Sequence, residues 1–146
     1  MRILIAVLSL MLATTTYGQD ADAEVGIEFC NWLSELARDV MAARQRSEPM
    51  SEILPFALDR LEHGPEVVAA SVAEYLSILA DDDREESLAK LEDIFEQMRP
   101  LVTGMVKGAY EIPVQALESN RRTVISEWED QFFSSCYPDK EETEAD

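Results

Sequence analysis

The stretch EVGIEFCNWLSELARDVMAARQR, residues 24–46, decides the fold class. Ile27, Phe29 and Cys30, Leu33, Leu36 and Ala37, Val40 and Met41 recur at intervals of three and four, which places them on one face of an α-helix. Glu28, Glu35, Arg38 and Asp39 fall on the opposite face. Ser47-Glu48-Pro49 ends the pattern, because proline cannot continue a helical hydrogen-bond ladder. One buried stripe of this length needs other helices to cover it.

Moving outward, the sequence supplies them. A second helix is expected from Ser51, as its cap, to about Glu62, with Pro55 in the first turn where a missing N–H costs little. His63-Gly64-Pro65 reads as a stop followed by a start. A third helix over 65–80 would bury Val68, Val72, Tyr75, Leu76 and Leu79. Asp81-Asp82-Asp83 opens a fourth, with Asp83 and Glu86 spaced as a capping box, and Leu88, Leu91, Ile94, Phe95 and Met98 as its stripe. Pro100 bends or restarts that helix, and Leu101, Val102, Met105, Val106 and Ala109 continue it. After Glu111-Ile112-Pro113 a last helix is expected over 114–135, using Leu117, Val124, Ile125, Trp128, Phe132 and Cys136. No run alternates with the two-residue period of a strand. The fold class is therefore all-α: a compact bundle or orthogonal array of five to six helices.

The chain has two cysteines, Cys30 near the start of the first helix and Cys136 near the end of the last. In an oxidising compartment the default for such a pair is a disulfide, and antiparallel packing of those helices brings the two ends together beside Phe29, Trp32, Phe132 and Phe133. Closing so long a loop restricts the unfolded chain by about 4–5 kcal/mol in the entropic account.

Residues 1–18 have the order of a secretory signal: Arg2, an apolar run from Ile3 to Ala13, then small residues to Gly18. That run falls short of the roughly 20 apolar residues a membrane span needs. Cleavage after Gly18 leaves a single helical domain over 19–138 and an acidic tail over 139–146, whose composition reads as unstructured. The cysteine pair and the leader together place the protein outside the cytoplasm. Periplasmic and secreted destinations both fit.

Charge narrows the partners. The whole chain carries 30 acidic and 12 basic residues, a net charge of −18; loss of Arg2 with the leader makes it −19. Such a domain repels phosphate backbones and anionic lipid, so nucleic acid and membrane surfaces are poor partners; the charge either attracts a basic protein or cationic peptide or serves only to keep an exported domain soluble.

No constellation for catalysis or cofactor binding stands out. Asp81-x-Asp83-x-Glu85-x-Ser87 partly matches a calcium loop, but Glu86 stands where the sharp turn needs glycine. His63 is the only histidine, so neither zinc nor a nucleophile-histidine pair has its ligands. Gly104-x-x-x-Gly108 reads as a close helix crossing in the core. Acid pairs suited to hydrolysis are uninformative in a chain this acidic. Metal and cofactor are expected to be none, and the chain is expected not to be an enzyme.

Three anchors resemble a group of short exported bacterial proteins, some phage-borne, for which no activity is known. They are Cys30 with Met41-x-x-Arg44-Gln45, then Ala109-Tyr110-Glu111-x-Pro113, then Cys136. The resemblance implies a Gram-negative periplasm over a eukaryotic secretory route, and the absence of any Asn-x-Ser/Thr sequon agrees. The candidate interaction residues are Arg44, Gln45, Arg46, Tyr110, Arg121 and Arg122, few polar or cationic positions on a negative background. The expected function is a non-catalytic exported binding protein, an inhibitor or immunity-type protein for a basic partner. The alternatives are a periplasmic stress or chaperone-like protein and a carboxylate-based hydrolase.

Overall fold

The computed structural model describes residues 19–137, all in helices and their connections; the leader and the acidic tail of the sequence reading lie outside them. Among the described residues six helices follow in order: α1 Gln19–Gln45, α2 Met50–Ser71, α3 Ala73–Leu76, α4 Asp81–Gln97, α5 Arg99–Glu111 and α6 Glu118–Cys136. The fold is all-α, and a disulfide between Cys30 and Cys136 joins the first helix to the last, with the two Cα atoms 5.6 Å apart.

The expected stripe of α1 forms the centre. Leu36, Val40 and Met41 are fully buried against Ile53 and Val68 of α2 and Val102 and Val106 of α5. Leu91 and Phe95 of α4 close one end, where Phe95 packs edge-on to Trp32 at 4.7 Å and to Phe29 at 5.3 Å between ring centroids. The C-terminal end of α1 closes on itself: Glu48 N–H donates to the Ala43 carbonyl, Ser47 N–H to that of Arg44, and Ser47 sits at φ 65°. This is a Schellman motif with serine in the left-handed position that glycine usually fills.

Several expected boundaries differ. His63-Gly64-Pro65 does not interrupt anything; α2 runs through both Pro55 and Pro65 to Ser71, and the break comes at Val72. The reason is packing. Ile53, Ala57, Leu61, Gly64 and Val68 form one buried stripe without a phase change, so tertiary contact outweighs the hydrogen bond each proline removes. Gly64 is a close-approach position, because a Cβ there would stand 1.9 Å from Cε1 of Phe95. Ser51 is not the cap of α2; Pro49 occupies that position in an extended conformation. The Asp83–Glu86 capping box does not form either. Ala80 precedes α4, all three aspartates lie in its first turn, and the helix dipole favours them there. The turn also leaves no loop for the calcium pattern.

The last helix begins at Glu118, later than its apolar pattern suggested, and Leu117 is 63% exposed instead of buried. Helix α6 has no fully buried side chain. Val124, Ile125, Trp128 and Phe132 are half-buried against the core, and Arg38 of α1 reaches Glu129 at 3.5 Å. Gly108 opens the space for Trp128, whose ring would meet a Cβ at 3.1 Å, while Gly104 has nothing near it. Half of the Gly-x-x-x-Gly pattern is therefore a crossing and half is surface.

Candidate interaction site

Between α5 and α6 the chain is not helical, so its backbone polar groups need partners from elsewhere. Ile112 is extended, and Pro113 contributes a carbonyl but no N–H. The end of α1 supplies what is missing. Arg44 donates from Nε to the Ile112 carbonyl at 3.3 Å, and its guanidinium lies over the Tyr110 ring at 4.8 Å. Gln45, only 2% exposed, uses both ends of its amide: Nε2 donates to the Pro113 carbonyl at 3.3 Å, and Oε1 accepts from Gln115 N–H at 2.8 Å. Arg121 of α6 donates to the Gln115 carbonyl at 2.6 Å, and the Tyr110 hydroxyl donates to the Glu48 carbonyl.

Four of the candidate interaction residues thus meet in one place, as a clasp that fixes the α5–α6 linker to the end of α1. Burial raises the Tyr110 pKa above its ordinary value, Arg44 opposes that, and Glu48 adds to it. The other two candidates stand outside the clasp. Arg46 pairs with Glu48 at 2.6 Å and Arg122 with Glu118 at 3.3 Å. The Met-x-x-Arg-Gln and Ala-Tyr-Glu-x-Pro anchors are the two halves of this clasp. Met41 itself is buried beneath it, with Sδ 3.7 Å from Gln45 Nε2. The sequence could not show this, because the partners are 68–70 residues apart.

The same accounting extends to other cations. Arg38 pairs with Asp39 and Glu129, Arg60 with Asp39, Arg84 with Asp81, and Lys90 with Glu86. Exposed acids outnumber what these pairs neutralise: Glu52, Glu62, Glu66 and Glu74 on α2 and α3, and Asp82, Asp83, Glu85, Glu92, Asp93 and Glu96 on α4, have no ion pair among the described residues. The molecular surface is therefore negative with its cations largely occupied.

A shallow open groove of about 270 Å³ lies where the end of α1 meets the start of α2. Ala42, Ala43, Ile53 and Phe56 line it together with Asp39, Arg46, Glu48 and Glu52. Asp39 and Glu48 are each held by an arginine, so the groove is not a matched pair of free carboxylates. His63, expected at a helix end, is exposed in the middle of α2, where Nδ1 lies 2.9 Å from the Asp59 carbonyl. Among the described residues no group of three or more His, Cys, Asp or Glu side chains is placed to hold a metal ion, and no helix is long and apolar enough to cross a membrane. The indole N–H groups of Trp32 and Trp128 are buried without a hydrogen-bond partner among the described residues.

No protein-family profile, curated protein or solved structure matches the chain.

Proposed function

We propose that the protein is a non-catalytic exported binding protein whose partner is basic, acting as an inhibitor or immunity-type protein. One observation carries the reading: an excess of 30 acids over 12 bases, with most of the described cations taken up by the chain's own carboxylates and carbonyls. A surface so arranged steers a cationic protein toward it and speeds encounter, while rejecting anionic partners. A stapled helical scaffold suits such a role, since a rigid surface loses little entropy on binding. Export rests on the leader-like residues 1–18 and agrees with the disulfide.

The test is a pull-down from periplasmic extract with the oxidised protein lacking residues 1–18, at low and at physiological salt. Retention of one basic protein at both salts supports the reading and identifies the target. A broad, salt-insensitive set of clients supports the chaperone-like alternative instead. Retention of nothing at either salt overturns the proposal and moves substrate screening, the hydrolase alternative included, to the front.

A further inference from the structure

The reading above leaves the binding face open, and the outward side of α2 distinguishes itself from the rest of the acidic surface. Glu52, Phe56, Asp59, His63, Val67 and Ala70 recur every three or four residues, and all are exposed. Of the four large apolar side chains left exposed among the described residues, Phe56 at 42% and Val67 at 52% stand on this row, and Ile78 at 75% lies in the turn after α3. Phe56 and Val67 are three helical turns apart, about 16 Å along the axis. Glu62 and Glu66 flank the row. Arg60, the one arginine of α2, reaches Asp39 at 3.4 Å with its guanidinium 6.0 Å from the centroid of the Phe56 ring, so its charge beside that anchor is offset by Asp39. The groove at the start of α2 adjoins the row through Glu52 and Phe56. Helix α4 is the natural comparison: it is more acidic, yet none of the large exposed apolar residues lies on it.

We propose that this face of α2 is the docking surface for a basic amphipathic helix of the partner. Its apolar side chains would seat at Phe56 and Val67, with lysines or arginines along one edge meeting Glu52, Asp59, Glu62 and Glu66. The occupant follows from charge complementarity: the exposed acids Glu52, Asp59, Glu62 and Glu66 run beside the two apolar anchors, with His63 between the anchors. Helix-in-groove recognition uses this arrangement, with anchors at helical spacing and charges at the edges. The inference rests on the basic-partner reading and narrows it to one face and one kind of segment.

The probes are two synthetic peptides of about 18 residues, long enough to span both anchors. Both contain the same lysines and leucines, one with leucines at helical spacing and one scrambled so that no apolar face forms. Titration calorimetry gives affinity, and amide chemical shifts give location. The expected result is that the amphipathic peptide binds about 10-fold or more tighter and perturbs α2. Phe56→Ser and Val67→Ser, made separately, should each weaken it by about 10-fold with circular dichroism unchanged, as loss of an anchor does. Asp82→Lys with Asp93→Lys on α4 should weaken it by less than about 3-fold, the residue of long-range attraction. Equal affinity for the two peptides, or an α4 effect as large as the α2 effect, overturns the docking face while leaving a basic partner in place. Absence of binding by either peptide at low salt overturns both.

Discussion

The ring of Phe95 lies on the bare Cα of Gly64, so close that a Cβ at that position would stand inside the ring contact. This one approach sets how α4 crosses α2 and brings Phe95 to Trp32 and Phe29. Two opposing effects predict the outcome of Gly64→Ala. Alanine gains about 1 kcal/mol of helix propensity over glycine. Overpacking against a rigid ring costs about 1–3 kcal/mol or more. A separation of 1.9 Å leaves no room for small adjustment, so the clash wins and the variant should unfold at lower denaturant. Gly104→Ala is the control: the site is open, the helix interior is exposed, and stability should rise by about 0.5–1 kcal/mol. If both variants are equally stabilised in urea melts, the packing account of Gly64 is wrong.

Ser47 ends α1 at a positive φ that costs a side chain about 1–2 kcal/mol relative to glycine. Ser47→Gly should therefore stabilise the fold by about 1 kcal/mol or slightly less, since glycine also gains freedom in the unfolded chain. Denaturant midpoints of the two proteins check this. A lower midpoint for the glycine variant would mean that the Schellman geometry is not under strain.

The sequence and the structure agree where local pattern and packing point the same way. Ile27 to Met41 showed a helix because its apolar residues keep one phase, and the two cysteines fell at the ends that antiparallel α1 and α6 bring together. Gly64-Pro65 misled because its local signal is a stop, while the buried stripe from Ile53 to Val68 passes through it unbroken. That continuity was present in the sequence and is the stronger signal. The start of α6 was misplaced for a different reason: its apolar stripe is only half-buried, so the phase of Leu117 said little. Arg44, Gln45, Tyr110 and Arg121 stood out as polar residues, but their mutual contacts depend on a linker path that no local pattern encodes.

Gln45 is the residue on which the linker depends most, because one buried amide serves both a donor and an acceptor. Gln45→Leu leaves the Gln115 N–H without its partner, at about 1–3 kcal/mol if it stays dry, while the Pro113 carbonyl still accepts from the Gln115 side-chain amide at 3.2 Å. Gln45→Glu still accepts from Gln115 but cannot donate to Pro113, so its loss should be smaller at low pH, where a protonated carboxyl can donate. Equilibrium unfolding at two pH values separates the cases. A Leu variant as stable as the parent would show that the linker finds other partners.

His63 gives a pH signature. The Asp59 carbonyl accepting from the ring, then the Asp59 carboxylate, hold its pKa above 6.5; slight burial opposes them, and Glu62 and Glu66 add to the rise. A raised folded value means that the protonated form stabilises the fold. That contribution is complete below about 6.5, the unfolded value, and disappears as pH rises through the folded pKa. The side chain is largely exposed, so solvent screens the effect and it is small. His63 being the only histidine, its proton resonances titrate alone. A midpoint at or below 6.5 would contradict the Asp59 contact.

Helix α6 is held by half-buried residues along its length, the clasp at one end and the disulfide at the other. Removing the disulfide should therefore act unevenly. Cys30→Ser with Cys136→Ser frees a loop spanning 106 positions, and global stability should fall by about 2–5 kcal/mol. The core of α1, α2 and α5 keeps its fully buried contacts, so those amides should stay the most protected. The α6 amides near Cys136 should exchange first, because the helix end has lost its staple while the Arg121 end is still tied to Gln115. Such a gradient along one helix is what local opening looks like when few buried contacts oppose it. Hydrogen exchange read residue by residue on the double variant tests this order. Uniform loss of protection across α1 and α6 would mean that the two helices open as a unit, and that the disulfide holds the whole domain and not the last helix alone.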